Sequence, residues 1–386
     1  MTTYHRPTKR RNQRSPRRGN IIVLSALMMV MTAAFVAFAV DLGSLYVARC
    51  ELQRSADAAA LSAAWDLVDE NELSGTTSVL ALETEARNTA IEFASLNKVW
   101  GSTPVVPVTD VEIGYLSDPT DPTSTMAFAS SNAPNAVRVC VRRTTVQNGP
   151  ITFTFAKLLG IFSQELDADA TAALLTNFAG FRAPGDGGNL GILPIALDET
   201  TWNTLLAGGG SDNWSWDPST ETVTSGSDGI KEVDLYPQGN GSPGNRGTVD
   251  IGSNNNSTAV LSRQIASGVT PSDLAHHGGE LKFDSSGKLY LNGDTGISAG
   301  IKDDLSSIIG QPRSIPIFTQ VEGPGNNATY TIVKFVGVRV LDVKLTGSQS
   351  SKCVMIQPAT MVARGAIPAT TSTHSDVMYS NVWLVN

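Results

Sequence analysis

The residues with the most potential for chemistry lie in short groups in the second half of the chain, beginning with the run His276-His277-Gly-Gly-Glu280. Imidazole nitrogens and carboxylates are common ligands of zinc. Adjacent histidine side chains point apart, however, and the glycine pair interrupts any helix that would bring both groups together with Glu280. The spacing therefore favours an exposed turn over a zinc site.

A second group is the run Asp294-Thr-Gly-Ile-Ser298. It is similar to the Asp-x-Ser-x-Ser metal site of von Willebrand A domains, but Gly296 stands where that pattern has its first serine. A magnesium site needs a full set of oxygen ligands, and one is missing here. We expect Asp294 to begin a turn and Ser298 to cap the next helix.

Two further patterns could serve ligand binding. Residues 239–244 match G-x-G-x-x-G, which binds dinucleotides where a strand precedes it and a helix follows. Here Pro243 lies inside the run and a strand-like segment follows, so the pattern predicts a loop. Trp214 and Trp216, with Trp202 nearby, could line a carbohydrate-stacking surface, although buried packing is the commoner use of such large rings.

The chain contains no G-x-S-x-G, no P-loop and no Cys-x-x-Cys, and it has four histidines. We therefore expect no enzymatic activity, no catalytic residue, no cofactor and no metal ion, and we identify no small-molecule substrate. One alternative stays open, an exported and membrane-tethered adhesin or enzyme that depends on a metal. Binding of Ca²⁺ or Mg²⁺ that is lost on Asp294→Ala would support that alternative.

Charge is distributed unevenly along the 386 residues, which carry 28 basic and 36 acidic side chains. Residues 1–19 hold seven basic side chains and no acidic one, which leaves 21 basic against 36 acidic in the remainder. An acidic body is a poor ligand for nucleic acid, so we expect no nucleic-acid partner. A basic segment directly before an apolar span keeps the N-terminus in the cytoplasm and places the body on the other side of the membrane.

The chain has three cysteines, Cys50, Cys140 and Cys353. These are too few for disulfide bonds to be the main stabilisation of a fold of this size. Cys140 and Cys353 lie in strand-like runs and could form a disulfide. Two strand cysteines are more often small buried apolar residues.

The segment between Arg18 and Asp41 contains 22 residues without a charge. As a helix it extends about 33 Å, enough to cross a hydrocarbon core of about 30 Å. A cleaved signal peptide is an alternative, because Ala37-Phe38-Ala39 fits the small-x-small cleavage rule. The helical pattern continues past that point, which favours a permanent anchor.

A prepilin-type cut after Gly19 is a third possibility. Pilins processed in this way normally carry glutamate at the fifth position after the cut, and here that position is Leu24. This departure argues against processing at Gly19.

The sequence that follows the apolar span, AVDLGSLYVARCELQRSADAAALSAAW over residues 39–65, resembles the N-terminal segment of TadG-like proteins of the Tad/Flp (tight adherence) pilus-assembly system. The matching positions, which the resemblance marks as a helix-packing motif, are Gly19, Asp41, Gly43, Tyr46, Arg49, Leu52, Gln53, Ala56, Asp57, Ala58, Ala59, Ala60 and Leu61. The small residues among them would let another helix or a sheet approach closely, and alanine is the best helix former. An ordinary core helix of the exported domain would have the same pattern.

The predicted fold class is α+β, in which a transmembrane helix extends into a pilin-like long helix packed on an antiparallel sheet, followed by a β-rich second domain. The predicted segments are a basic cytoplasmic segment (1–19), a transmembrane helix (20–40), a pilin-like α+β unit (41–178), a Gly/Pro linker (179–191) and a β-rich exported domain (192–386). Within the α+β unit we predict a second helix over 83–96, strands over 106–116 and 135–143, and a mixture of strand and short helix over 151–162.

Alternating apolar residues predict eight strands in the second domain, and capping residues followed later by glycine predict three short helices. The predicted strands are 191–197, 231–236, 247–252, 288–293, 315–321, 330–345, 353–358 and 382–385. The predicted helices start after Asp198, Ser257 and Ser298.

Together these features predict a single-pass protein of the cytoplasmic (inner) membrane, with its N-terminus in the cytoplasm and most of the chain periplasmic or extracellular. The resemblance implies a structural or accessory component of a Tad/Flp-type pilus assembly or secretion apparatus. Its expected partners are the lipid bilayer and other Tad/Flp pilus components, and its expected mode of action is helix packing and protein binding.

Overall fold

A computed structural model of the chain describes residues 21–68, 73, 78–128, 133–235, 246–252, 257–294, 296–323, 327–348, 351–369 and 375–385. The predicted basic segment 1–19, with Gly19, and the glycine-rich run 239–244 lie outside the described residues.

The described residues form six α-helices and twenty strands, together with short 3₁₀ turns. The α-helices are α1 (Ile21–Trp65), α2 (Val79–Leu96), α3 (Glu199–Leu206), α4 (Thr258–Ser267), α5 (Pro271–Leu274) and α6 (Lys302–Ser307). The first ten strands are β1 (Val111–Gly114), β2 (Ala136–Arg143), β3 (Ile151–Thr152), β4 (Ser163–Gln164), β5 (Leu166–Ala173), β6 (Phe178–Arg182), β7 (Ile195–Asp198), β8 (Trp214–Asp217), β9 (Thr222–Ser225) and β10 (Val233–Asp234). The others are β11 (Arg246–Val249), β12 (Glu280–Lys282), β13 (Leu289–Asp294), β14 (Pro312–Glu322), β15 (Ala328–Lys344), β16 (Cys353–Pro358), β17 (Met361–Ala363), β18 (Ala366–Pro368), β19 (Met378–Ser380) and β20 (Trp383–Val385).

This architecture confirms the α+β class, with one long apolar N-terminal helix and a β-rich remainder. All eight strands predicted for the second half are present, and α2 confirms the predicted second helix. The predicted strand over 106–116 is shorter than expected, because Val108–Asp110 form a 3₁₀ turn and only β1 is extended. The predicted linker, 179–191, begins inside β6.

The helix starts follow the expected capping chemistry, in which a side-chain oxygen accepts a backbone N–H that has no partner in the first turn. The carboxylate of Asp198 accepts from the Thr201 N–H at 2.9 Å, and the Ser257 hydroxyl accepts from the Val260 N–H at 3.3 Å. Ser298 likewise caps the 3₁₀ turn before α6.

By contacts between residues, the described chain divides into two compact units, and the boundary falls inside α1. The first unit consists of the described residues up to Cys50 together with Arg143–Leu166. The second consists of those in Glu51–Arg142 and from Asp167 onward.

The first unit combines the N-terminal part of α1 with a hairpin-like segment, Arg143–Leu166. Strands β3 and β4 are antiparallel and frame a 3₁₀ turn at Ala156–Leu159, which ends at Gly160 in the left-handed conformation. The hydroxyl and the N–H of Thr145 both donate to the Glu165 carboxylate and so connect the two ends of this segment.

The second unit contains a four-stranded sheet in the order β1-β2-β5-β20, in which β1 pairs antiparallel with β2 and β5 pairs antiparallel with β20. The same unit contains a seven-stranded sheet in the order β10-β16-β15-β13-β11-β7-β14. An additional pairing of β14 with β15 closes five of these strands into a ring, in which β7 and β14 are the parallel pair. Closure of this kind removes free sheet edges from the five strands.

Two apolar cores support the closed sheet. In one, α3, α4 and α6 contribute Trp202, Leu261 and Leu305 against aliphatic residues of the strands. In the other, aromatic rings pack edge to face, as in the pairs Phe181–Phe335 and Phe318–Tyr330, each with ring centroids 4.9 Å apart.

Candidate functional site

The predicted motif positions from Asp41 to Leu61 lie along α1 and face two different environments. Asp41 is buried, whereas Gly43 has open space around it and Tyr46 and Arg49 are exposed. A helix turns by about 100° per residue, so Gly43 and Tyr46 lie on the face opposite Asp41. The motif therefore has an inward side and an outward side in the first unit.

Asp41 fastens the 3₁₀ turn of the first unit to α1. Its carboxylate accepts hydrogen bonds from the N–H groups of Thr154 at 2.8 Å, Phe155 at 3.0 Å and Ala156 at 2.6 Å. Burial alone would raise the pKa of Asp41, but these three donors, with the Lys157 charge, outweigh it and lower the pKa. Asp41 is thus ionised, and its carboxylate pairs the N–H groups at the start of the turn.

Gln53 connects α1 to the four-stranded sheet in the second unit. Its amide donates to the Asp57 carboxylate at 2.8 Å and to the backbone carbonyl of Asp169 in β5 at 3.0 Å. These two motif residues therefore have a structural reason for their spacing of four, which places both on one side of the helix.

The alanine-rich part of the motif is buried inside the second unit. Leu52, Ala56, Ala59 and Ala60 are 0% exposed, while Asp57, Ala58 and Leu61 are partly exposed. The Ser55 hydroxyl donates to the Ala94 carbonyl of α2 at 3.1 Å.

The buried residues of α2 are also alanines, namely Ala86, Ala90 and Ala94. Packing of partner helices on this alanine face stays a prediction. Its small residues are used within the chain, as in an ordinary core helix.

The N-terminal part of α1 is exposed and apolar. Within the described chain it is the one helix long and apolar enough to cross a membrane. It continues without a break through Ala39 to Trp65, as the helical pattern predicts. Large apolar side chains such as Ile22, Met29 and Phe35 are each more than two-thirds exposed, which suits a helix that contacts lipid on all sides.

The side chains that were weighed as possible metal ligands do not come together in the described part of the chain. His276 and His277 lie in a 3₁₀ turn that ends at Gly278, and Glu280 begins β12. Asp294 ends β13, and no cluster of three His, Cys, Asp or Glu ligand atoms forms around it among the described residues.

The tryptophans do not form an open stacking surface. Trp202 is fully buried and donates from Nε1 to the Asp376 carboxylate at 2.8 Å. Trp214 and Trp216 are partly buried in β8, and the Arg339 guanidinium covers the Trp216 ring at 4.1 Å from its centroid. Packing is therefore the role of at least Trp202 and Trp216.

The structure places Cys140 and Cys353 as separate, buried free thiols, so the possible disulfide between them does not form. Cys140 lies with Asp167 and Asp169 so that one ligand atom of each is within 4.8 Å of the others. Burial raises the pKa of Cys140 to about 11, which keeps the thiol protonated, and the Arg142 Nε donates to its sulfur at 3.0 Å. A protonated thiol beside a cation is a poor metal ligand.

Asp250 is a buried titratable group that the sequence analysis missed. Burial, together with the charge of Asp294, raises its pKa to about 6. One of its carboxylate oxygens has no hydrogen-bond partner among the described residues. The imidazole of His277 has a lowered pKa through burial, despite a hydrogen bond to the Asp250 backbone. Alternation in the predicted strand 247–252 places Asp250 on the face of Thr248, opposite Val249 and Ile251, so the sequence carried no signal of its burial.

Comparison with known protein families defines the class of protein. Residues 19–66 match the family described as Flp pilus-assembly TadE/G-like, and residues 53–172 match the one described as Tad-like Flp pilus-assembly. Residues 19–172 thus match Tad/Flp pilus-assembly families, which confirms the resemblance to TadG-like proteins in the sequence. Comparisons with curated proteins and with solved structures found no match.

These matches and the apolar part of α1 fit a membrane-anchored Tad component with a single span. The matched residues include the Asp41 and Gln53 contacts and the buried alanine face. Pilus-assembly families consist of assembly components, which suggests interaction with other pilus components.

Proposed function

We propose that the chain is a structural component of a Tad/Flp-type pilus assembly or secretion apparatus, anchored in the inner membrane with its N-terminus in the cytoplasm. The observation that carries this proposal is the continuity of α1, which runs from an exposed apolar part into a part with a buried face. Such a helix begins as a lipid-embedded anchor and continues into an exported body. A long helix continued from the membrane into a folded body is the pilin-like plan.

The outward side of the motif is the proposed surface for partner helices, in place of the alanine face. Gly43 lies inside α1, where glycine costs about 1 kcal/mol relative to alanine. An added Cβ at Gly43 would meet nothing within 4 Å, so no contact within the chain requires this glycine. Close approach of another helix just outside the membrane provides the requirement. Tyr46, one turn further along, is 72% exposed and extends the same face.

Substitution at Gly43 tests this surface. Gly43→Leu is expected to leave the fold intact, because the position is open, and to prevent co-purification with the other Tad components. Gly43→Ala is the matched control and is expected to retain the association, with helix stability higher by about 0.5–1 kcal/mol. Retained association in Gly43→Leu would show that partners bind elsewhere.

The orientation can be measured with the protein's own cysteines. Cys50 is exposed and lies ten residues after the predicted span, whereas Cys140 and Cys353 are buried. A membrane-impermeant maleimide applied to spheroplasts should label Cys50, and Cys50→Ser should abolish the labelling. Adding Ser15→Cys to the Cys50→Ser variant should give labelling only after lysis.

The reverse pattern, with Ser15→Cys labelled in intact spheroplasts, would refute the proposed orientation. A mature chain that lacks residues 1–39 by intact mass and is found in the soluble fraction would refute the anchor itself.

A further inference from the structure

The first unit exposes a contiguous set of large apolar side chains outside α1, in the segment Phe153–Phe162, here termed the apolar loop. Leu158 is 87% exposed, Leu159 81%, Phe162 65% and Ile161 52%. Soluble surfaces rarely carry such a group, and where they do it marks a binding or membrane surface.

The apolar loop lies against the part of α1 that is assigned to the membrane. Phe155 lines a groove together with α1 residues between Leu24 and Ala37. Asp41, whose carboxylate holds the start of the turn, is the first charged residue after the uncharged span. The exposed apolar surface of the loop is therefore continuous with the lipid-facing surface of α1, and both begin at the level of Asp41.

The backbone of the apolar loop is prepared for an apolar environment, in which each unpaired N–H costs several kcal/mol. Asp41 accepts the N–H groups of Thr154, Phe155 and Ala156. Bonds inside the loop pair the N–H groups of four more residues, namely Phe153, Leu158, Gly160 and Ile161. The loop could therefore enter an apolar environment with these seven N–H groups already paired.

The charged residue of the loop also fits a bilayer surface. Lys157 is exposed between the apolar residues and the Asp41 carboxylate. A lysine can bury its methylene chain in the apolar layer while its ammonium reaches the lipid phosphates.

We propose that the apolar loop is a second membrane contact, inserted into the headgroup–acyl boundary of the leaflet on the exported side and fastened to the anchor by Asp41. This inference rests on the proposed membrane anchoring. The occupant is lipid, because the surface is continuous with a lipid-facing helix and carries one cation among large aliphatic and aromatic side chains. Two contacts would restrict rotation and tilt of α1 relative to the bilayer.

The test uses the full chain with Cys50→Ser, reconstituted in vesicles of phosphatidylethanolamine and phosphatidylglycerol. One variant carries Leu159→Cys, and its matched control carries Val146→Cys, a position in the same unit that is 99% exposed. Each new cysteine is labelled with the environment-sensitive dye NBD, while the buried Cys140 and Cys353 stay unlabelled. Lipids with a spin label near the top of the acyl chain quench dyes that lie at that depth.

The expected result is a blue-shifted emission at position 159 that is mostly lost with spin-labelled lipid, and an emission at position 146 that is neither shifted nor quenched. Asp41→Asn, which keeps one acceptor oxygen and loses the charge, should reduce the quenching at 159.

Three outcomes would overturn the proposal or the anchoring on which it rests. Equal, water-like emission at both positions in a chain that still floats with vesicles would refute the loop insertion and leave the anchor intact. A blue shift at 159 without quenching would show that protein, in the form of a second copy or a partner helix, covers the loop. A chain that does not float with vesicles would refute the anchor.

Discussion

The substitution Ala60→Leu distinguishes an internal alanine face from one that serves partners. Ala60 is 0% exposed on α1, so three additional carbon atoms would have to displace packed neighbours. Overpacking of this kind costs about 1–3 kcal/mol. Leucine and alanine have similar helix propensities, so the loss comes from packing and not from the backbone.

We expect the free energy of unfolding to fall by about 2 kcal/mol, which lowers the Tm by about 4–8 °C for a domain of this size. Thermal unfolding of the detergent-solubilised chain, followed by circular dichroism, measures the shift. Ala58→Leu is the matched control, since Ala58 lies two residues away and is partly exposed, and it should show a clearly smaller loss. A wild-type Tm for Ala60→Leu, combined with failure to bind other Tad components, would refute the argument and restore the alanine face as a partner surface.

Three other predictions concern the second unit. Asp250→Asn should stabilise the chain at pH 7 by up to about 3 kcal/mol. The pKa of Asp250 is raised from 3.8 to about 6 in the folded state, so the folded chain holds this proton more tightly than the unfolded chain does. Wild-type stability should therefore fall relative to the variant as the pH rises from about 4 to about 6, and parallel urea titrations that show a constant difference would contradict this. Trp202→Phe should cost about 2 kcal/mol or more in urea unfolding, since it removes the hydrogen bond to the Asp376 carboxylate from a fully buried ring, and an unchanged midpoint would contradict that role. Gly247→Ala should destabilise the closed sheet, because the added Cβ would overlap the Tyr330 hydroxyl, and Gly247→Ala combined with Tyr330→Phe should recover part of the lost Tm.

Local patterns predicted most of the regular elements. The uncharged run and the absence of proline predicted the uninterrupted α1, and alternation of valines predicted β2. Capping residues such as Asp198 and Ser257 correctly marked two helix starts. These signals are carried by neighbouring residues, so a sequence is sufficient to detect them.

Features that depend on distant residues were not predicted. Strands β17, β18 and β19 have three residues each, and their extended conformation is set by the partner strand and not by alternation. The closure of the large sheet depends on the parallel pairing of β7 with β14, far apart in the chain.

In the candidate site, too, local features could be predicted and contacts between distant residues could not. The motif positions were identified from the sequence, but their roles were not. Asp41 is separated from Thr154 by more than a hundred residues, so its hydrogen bonds could not be deduced from local spacing. An alanine pattern alone does not reveal whether the surface that covers it belongs to the same chain.

The pairing of β20 with β5 has a consequence for folding during synthesis of the chain. Trp383 lies beside Ala173, so the fourth strand of the N-terminal sheet is supplied by a segment that is synthesised long after β5. Until then one edge of β5 exposes unpaired N–H and C=O groups, which invite pairing with other chains. Completion of the sheet must wait for synthesis of the intervening β-rich region, and this long-range pairing slows the final folding step. A chain whose synthesis stalls before β20 would therefore present an open strand edge that is accessible to chaperones and proteases.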